Sequence, residues 1–151
     1  MAQGLEGAGV TPPPDVTVEQ VNAFLAEQLP FCAEFGISCD SVAPDQAVVR
    51  WRFDRRWTRP VDFVCGPVMM ALADVGVYVA GFTRGGIEAL ALTNELKTTF
   101  LRPAAGGVDL LCRASILKRG RKVLYGVADI VEEHAPARLV AQASSTYVVG
   151  G

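Results

Sequence analysis

One carboxylate lies inside an otherwise uncharged stretch of this 151-residue chain. Residues 65–84 read CGPVMMALADVGVYVAGFTR, and between the two ends of this stretch Asp74 is the single charged residue. Apolar side chains recur all round the helical wheel, which predicts a helix that is covered on nearly every side. An ionised carboxylate without a partner is costly in such surroundings. Asp74 therefore either has a partner within the protein or faces a site.

A second candidate group is a basic turn, Lys118-Arg119-Gly120-Arg121. Guanidinium and ammonium groups bind phosphate oxygens well, and a glycine beside them lets the backbone approach a ligand closely. The same composition is also that of an ordinary solvated hairpin turn. Both interpretations stay open at this point.

The four cysteines do not form a metal-binding pattern. None of Cys32, Cys39, Cys65 and Cys112 stands in C-x-x-C spacing, and His134 is the one histidine of the chain. This argues against a structural zinc site, and no metal is predicted. The first residues have neither a basic start nor an apolar run, so we expect a cytoplasmic protein with reduced, mostly buried thiols.

Composition narrows the class of protein. Half of the residues are hydrophobic and 20% are charged, as in globular proteins, and 151 residues suit one domain with a sizeable core. The net charge of -2 gives no electrostatic reason to expect nucleic acid or an acidic membrane surface as a partner. The apolar stretch at 65–84 is too short, and too interrupted by Asp74 and glycine, to be a membrane span.

The elements around the apolar stretch begin with a tail. Residues 1–16 are rich in Gly, Ala and Pro and are predicted to be flexible, whereas residues 17–151 are predicted to form a single domain. Thr17 starts an amphipathic helix, and Pro30 ends its run of helical spacing.

The period then changes to two, which indicates strands. Val49, Trp51 and Phe53 alternate with charged residues, as in a half-exposed antiparallel strand entered through a turn at Pro44-Asp45. After the apolar stretch the sequence predicts four more strands separated by Pro or Gly, at roughly 87–102, 107–118, 121–132 and 138–149.

Short connections mean that neighbouring strands run antiparallel. The expected fold is therefore α+β, an antiparallel sheet of about five to six strands wrapped around one long apolar helix. The other face of the sheet still carries apolar residues, which predicts a partner subunit.

This order of elements, together with four segments, resembles the hotdog-fold acyl-CoA thioesterases of the phenylacetic-acid-degradation type. The segments are CGPVMMALAD, the strand from Thr93 to Pro103 with its FLRPA ending, LKRGRKV and LVAQASSTYVV, within a resemblance that covers about residues 37–149. The resemblance implies hydrolysis of an acyl-CoA thioester to a carboxylic acid and free coenzyme A. It implies no cofactor apart from the coenzyme A of the substrate, and a homodimer or homotetramer with sites at the subunit interface.

The resemblance also assigns roles to residues. Asp74 matches the acidic residue that acts as general base for water or as the attacking carboxylate, and Thr93 matches a hydroxyl that positions water. Gly66 matches the glycine whose main-chain N–H polarises the thioester carbonyl, and a donor at a helix N-terminus suits that task. Asp74 and Thr93 would come from the subunit opposite Gly66, so that a site would exist only in a dimer.

Two positions depart from the family. Its His-Gly-Gly sequence is Cys65, Gly66 and Pro67 here, and an asparagine six residues before the histidine is Arg59. Loss of both groups would lower the rate, change the substrate or abolish hydrolysis. Cys65 is expected to line the pocket rather than to act as a nucleophile, since no histidine is near it in sequence.

Other residues are expected to contact the substrate. Arg59 either contacts a carboxylated acyl group or is an exposed loop residue, and Met70 lines the acyl pocket or the core. The basic turn, Lys118-Arg119-Gly120-Arg121, matches the place where the family binds the coenzyme A phosphates. A non-catalytic hotdog protein that binds acyl-CoA or serves in assembly is the alternative, whereas a hotdog dehydratase is disfavoured because its histidine has no counterpart.

Overall fold

The computed structural model describes residues 11–150, which fold into one antiparallel sheet around a long helix. The sheet has six strands in the order β1-β2-β6-β7-β8-β5. In chain order the elements are α1 (Val18–Gln28), α2 (Pro30–Phe35), β1 (Ile37–Ala43), β2 (Gln46–Trp51), β3 (Thr58–Arg59), β4 (Phe63–Val64), α3 (Gly66–Phe82), β5 (Leu92–Phe100), β6 (Leu110–Arg119), β7 (Val123–Glu132) and β8 (Ala135–Val148). The predicted α+β class and the hotdog arrangement are confirmed.

Helix α3 forms where the apolar stretch predicts it. Cys65 precedes it in an extended conformation, and Pro67 occupies the first turn, where its missing N–H costs nothing. The helix continues through Gly81 and ends at Phe82, with Thr83 as the cap. The positive φ angles that leave the helix are at Gly85 and Gly86.

One face of α3 is open in the single chain, contrary to the prediction that it is covered on nearly every side. Most of the helix is buried, including Val68, Leu72 and Val79, which are fully enclosed. Pro67 and Met70 are exposed, and Ala71 and Asp74 are half-buried. These four positions follow the helical spacing i, i+3, i+4 and i+7, so they form a single stripe.

Two glycines let the helix approach the sheet closely. A Cβ at Gly76 would lie 2.5 Å from Cys112 Sγ on β6, and a Cβ at Gly126 on β7 would lie 2.7 Å from Val77 of the helix. Real Cβ atoms do not approach other atoms this closely, so a larger residue at either position would push helix and sheet apart.

The predicted strands are present with shifted ends. The strand expected at 87–102 begins only at Leu92, because residues 87–91 form a loop. The turn at Pro44-Asp45 joins β1 to β2 as expected, with Asp45 at φ 59°, a conformation that aspartate tolerates. The short helix α2 was not predicted, since Pro30 ends one helix and also begins the next.

Two residues at the end of the predicted tail, Asp15 and Val16, contact the folded part of the chain. Residues 1–10 of the predicted tail lie outside the described residues. Val16 is buried, the main-chain N–H of Asp15 donates to the carbonyl of Thr83 at 2.9 Å, and the carboxylate of Asp15 accepts from the N–H of Gly85. Thr17 caps α1 as expected, and its side chain accepts from the N–H of Gln20.

Edge strand β5 has a neighbour on one side only within residues 11–150. It pairs with β8, and its outer edge carries main-chain groups without a strand partner. Along the part of the chain that the structure describes, no helix is long and apolar enough to cross a membrane.

Candidate functional site

The carboxylate of Asp74 is held by two hydroxyl groups. Thr93 Oγ1 donates to Asp74 Oδ1 at 2.9 Å, and Tyr147 Oη lies 2.6 Å from the same oxygen and 2.8 Å from the main-chain oxygen of Asp74. Within residues 11–150, Oδ2 accepts no hydrogen bond from the protein. Asp74 thus has partners and also presents one free oxygen, so both possibilities that the sequence left open apply.

Tyr147 was not among the residues predicted for the site. It lies opposite Thr93 in the register between β8 and β5, so both side chains leave the same face of the sheet. The alternation of the closing strand places Tyr147 inside, but only the strand pairing brings it to Asp74. Burial and the negative charge of Asp74 raise the pKa of Tyr147 well above its usual range, which keeps its hydroxyl protonated as a donor.

A cavity of about 210 Å³ adjoins the carboxylate and is lined by Asp74, Thr93 and Tyr147 together with apolar side chains. Among these are Leu29, which lies between α1 and α2, and Phe31 of α2. Burial raises the pKa of the nearby Cys32 to about 12, and the charge of Asp74 contributes to the rise. The cavity therefore combines apolar walls with one anionic group.

The N-terminus of α3 lines a different cavity, of about 390 Å³, bordered by Gly66, Arg59, Met69 and Phe100. The N–H of Gly66 has no acceptor among the described residues, as expected for the first turn of a helix. The ring of Phe100 covers this glycine, since a Cβ there would lie 3.3 Å from Phe100 Cζ. Arg59 is exposed at the rim, and Met70 lies outside this cavity on the open stripe.

Cys65 caps this end of the helix without a side-chain hydrogen bond. Its thiol is half-buried, and it has no imidazole beside it, because His134 lies in the turn after β7, 3.7 Å from Glu132. The other cysteines are buried, and burial raises the pKa of Cys39 to about 11 and that of Cys112 to about 12. Among the described residues no group of three potential ligands is placed to hold a metal ion.

Gly66 and Asp74 cannot act on one carbonyl within a single chain. They are eight residues apart on one helix, a separation of about 12 Å along its axis. They also line separate cavities that share no residue. One carbonyl group can contact both only if a second copy of the chain supplies one of them.

The basic turn is divided between two roles. Arg119 Nη2 forms an ion pair with Asp45 Oδ1 at 3.0 Å, and its Nη1 donates to the carbonyl of Gly81 at 3.1 Å in the last turn of α3. Lys118 and Arg121 are exposed and, within residues 11–150, form no ion pair. The predicted cluster is present, but Arg119 is occupied by the protein itself, while Gly120 approaches Val123 O, to which its N–H donates at 2.8 Å.

Comparison with known proteins gives a consistent result. Residues 62–135 match the family model of the thioesterase superfamily. A protein proposed to be a thioesterase, from a Silicibacter species, is 33% identical over 91% of this chain and 94% of that chain, with a TM-score of 0.82. A mutant of the phenylacetic acid degradation protein PaaI from Thermus thermophilus is 25% identical over 80% of this chain and 99% of that one, with a TM-score of 0.70.

The PaaI protein of E. coli, from the phenylacetic acid degradation operon, shares the fold at 21% identity, with a TM-score of 0.77 over 89% of this chain and 94% of that one. The comparison with curated proteins found no match. The matched family region contains α3, and with it Gly66 and Asp74 of the two cavities. It also contains the basic turn.

Proposed function

Because the chain belongs to the thioesterase superfamily and is a hydrolase of thioester bonds, we propose that it hydrolyses an acyl-CoA to a carboxylic acid and free coenzyme A. One observation carries the proposal: Asp74 lies in a partly apolar cavity with Oδ1 held by two hydroxyl groups and Oδ2 free. A fixed carboxylate with one open oxygen is suited to take a proton from water or to attack a carbonyl carbon.

Two routes start from this oxygen. As a general base, Asp74 Oδ2 takes a proton from water while the water oxygen bonds to the acyl carbon, and the carbon–sulfur bond then breaks. As a nucleophile, Oδ2 itself bonds to the acyl carbon and the carbon–sulfur bond breaks, which releases coenzyme A as its thiolate. Water then hydrolyses the resulting anhydride, which releases the carboxylic acid and regenerates the Asp74 carboxylate. The hydroxyl of Thr93 donates a hydrogen bond to Asp74, so the oxygen of Thr93 can still accept a hydrogen bond from the attacking water.

The oxyanion would be stabilised by the N–H of Gly66 from a second copy of the chain. A main-chain donor at a helix N-terminus combines a free hydrogen bond with the positive end of the helix dipole. The separation of Gly66 and Asp74 along α3 supports this division of the site between two copies. The open stripe of α3 and the unpaired edge of β5 supply adjacent surface for a homodimer, and dimers can pair further into tetramers.

The exposed basic residues would bind the coenzyme A phosphates. Lys118 and Arg121 are the two cations of the turn that the protein leaves without an ion pair among residues 11–150, whereas Arg119 is used internally. Arg59, Cys65 and Met70 lie near the helix N-terminus or on the open stripe, where an acyl group would pass between two copies.

The test is thioester hydrolysis across short, medium, long and aryl acyl-CoA substrates, with Asp74→Asn as the variant. Asp129→Asn is the matched control, because Asp129 is a half-buried carboxylate on β7 that also accepts a side-chain hydrogen bond, from Gln142 at 2.8 Å. We expect Asp74→Asn to lose at least about 10²-fold in kcat while its fold and oligomeric state persist, and Asp129→Asn to retain wild-type rates.

Undiminished turnover in Asp74→Asn would refute the mechanism. No turnover on any substrate, together with retained coenzyme A binding, would favour the non-catalytic acyl-CoA-binding protein, for which the replacement of the family histidine by Cys65 is the supporting observation. A single turnover in heavy-oxygen water tests for the nucleophilic route, since label in the Asp74 carboxyl group is formed only when water attacks the aspartyl carbonyl of an anhydride.

A further inference from the structure

We propose that Tyr147 is a positioning residue for Asp74, which fixes the carboxylate so that Oδ2 alone faces the substrate. This inference rests on the proposed function, because it assigns a task to Tyr147 within the same site. It goes beyond that function because the resemblance gives Tyr147 no role, although the segment LVAQASSTYVV contains it, and the spacing of the predicted site residues does not point to it.

The hydrogen bonds distinguish the two carboxylate oxygens of Asp74. Tyr147 Oη is 2.6 Å from Asp74 Oδ1, and Thr93 Oγ1 is 2.9 Å from the same atom. A carboxylate oxygen has about two positions at which it accepts hydrogen bonds. Two donors from paired positions of β5 and β8 therefore occupy Oδ1 and leave Oδ2 as the reactive atom.

Tyr147 is itself held in place, which a positioning residue requires. Its side chain is 4% exposed, and its ring is stacked on that of Tyr78 with centroids 5.5 Å apart and planes 9° from parallel. Tyr78 follows Asp74 by one helical turn, so the helix presents the carboxylate and the stacking partner side by side. The hydroxyl of Tyr147 consequently points at Asp74 without freedom to rotate its ring away.

Oη of Tyr147 lies within hydrogen-bond distance of the main-chain oxygen of Asp74 as well, at 2.8 Å. A hydroxyl has one proton, so it can donate to the carboxylate or to the carbonyl. When Asp74 is ionised, the carboxylate is the stronger acceptor. The tyrosine thus donates to the ionised carboxylate, which is the form that both proposed routes need.

The titratable groups that face Asp74 are uncharged near neutral pH. They are Cys32 from α2, Tyr78 from the same helix and Tyr147 from β8. Burial raises the pKa of Cys32 to about 12 and also raises the pKa values of the two tyrosines. The acid limb of a pH–rate profile therefore contains no titration of these neighbours.

The experiment compares Tyr147→Phe with Tyr125→Phe in the full-length protein. Tyr125 is a partly exposed tyrosine on β7, so it controls for the loss of a hydroxyl without contact to the site. We expect Tyr147→Phe to lower kcat about tenfold or more with little change in KM, and to move the acid limb of kcat/KM up by about one pH unit. Tyr125→Phe should leave both unchanged.

A second change keeps the hydroxyl and the stacked ring. Tyr147→3-fluorotyrosine makes the phenol a stronger donor, so the acid limb should move to lower pH. If Tyr147→Phe lowers Tm but leaves the pH profile unmoved, or if the fluorinated protein shows no shift, the tyrosine has only a structural role and the inference is overturned. Failure of the proposed function gives a different result, namely an Asp74→Asn variant that still hydrolyses thioesters.

Discussion

At its C-terminal end helix α3 is closed by two side chains, those of Thr83 and Arg119, whereas at its N-terminal end no side chain caps it. Thr83 Oγ1 donates to the carbonyl of Ala80 at 2.7 Å and accepts the N–H of Asp45 at 2.8 Å, while Arg119 donates to the carbonyl of Gly81. At the other end Cys65 provides no side-chain cap, and the N–H of Gly66 has no partner within residues 11–150.

The difference shows which end of the helix is free for a ligand. Arg119 has the side chain that looks most suited to a phosphate, yet it stabilises the negative end of the helix dipole and pairs with Asp45. Gly66 has no side chain at all, yet its main-chain group is the unsatisfied donor. The charge of Arg119 thus serves the fold, and under the proposed function the main chain of Gly66 serves the chemistry.

The largest expected effect comes from removing that donor. Gly66→Pro deletes the N–H at a helix position that tolerates proline, and should lower kcat by about 10²–10³-fold because the developing oxyanion loses its hydrogen bond. Hydrolysis of acyl-CoA with a check of oligomeric state measures the effect. Gly66→Ala is the control, because it adds the same Cβ beneath Phe100, 3.3 Å from Cζ, but keeps the N–H. Equal losses in both variants would contradict the role of the donor.

A smaller effect is expected at the C-terminal end of α3, where Arg119 binds the helix. Arg119→Met removes one ion pair and the cap on Gly81, and should cost about 1 kcal/mol of unfolding free energy, or roughly 3 °C in Tm, with KM for acyl-CoA unchanged. Lys118→Ala should have the opposite pattern: we expect a higher KM for acyl-CoA and an unchanged Tm. A KM that rises with Arg119→Met at constant Tm would restore Arg119 to the phosphate site.

The pH dependence of stability provides a second check on the ion pairs at the C-terminal end of α3. Burial opposes ionisation of Asp45, but hydrogen bonds from Arg84 and Arg119 outweigh it and lower the pKa of Asp45 below its ordinary 3.8. A depressed carboxyl pKa contributes stability that is present above the unfolded-state value and is lost as pH falls through the folded-state value. The difference in Tm between wild type and Asp45→Asn should therefore be constant near pH 6 and shrink below about pH 4.

The smallest effect concerns the missing cap at the open end. Cys65→Ser places a hydroxyl where it can accept the N–H of Val68, the third residue of the helix, since Pro67 has none. We expect about 0.5–1 kcal/mol of added stability, seen as a rise in Tm of a few degrees. Cys65→Ala separates capping from the loss of sulfur, and a Tm that does not distinguish the two would show that the end is already satisfied.

Periodicity was sufficient for most of the fold. The helical spacing after Thr17, the apolar stretch around Asp74 and the alternation at Val49 and Trp51 are local signals, and each element is where its pattern predicts. Helix α2 was not predicted, because a proline that ends one helix also suits the first turn of the next. The open stripe on α3 was not predicted either. Its exposed members, such as Met70, are apolar or small residues, and such residues are expected to be buried.

The site was predictable where it depends on one element and not where it depends on pairing. Asp74 stands out because a charge is conspicuous in an apolar helix. Tyr147 lies 73 residues further on and reaches Asp74 through the register of β5 with β8, which no local pattern contains. Arg119 was assigned to the phosphates by its charge and by the resemblance, but within the fold it pairs with Asp45, 74 residues away in the turn between β1 and β2.

The position of donor and carboxylate on the same helix has a consequence for mixtures of defective chains. If each active centre takes Gly66 from one copy and Asp74 from the other, a chain lacking the donor and a chain lacking the carboxylate can complement each other. After subunit exchange, half of the pairs would be mixed, and each mixed pair would have one intact centre and one doubly defective one. Two inactive proteins would then recover a quarter of the wild-type rate on mixing.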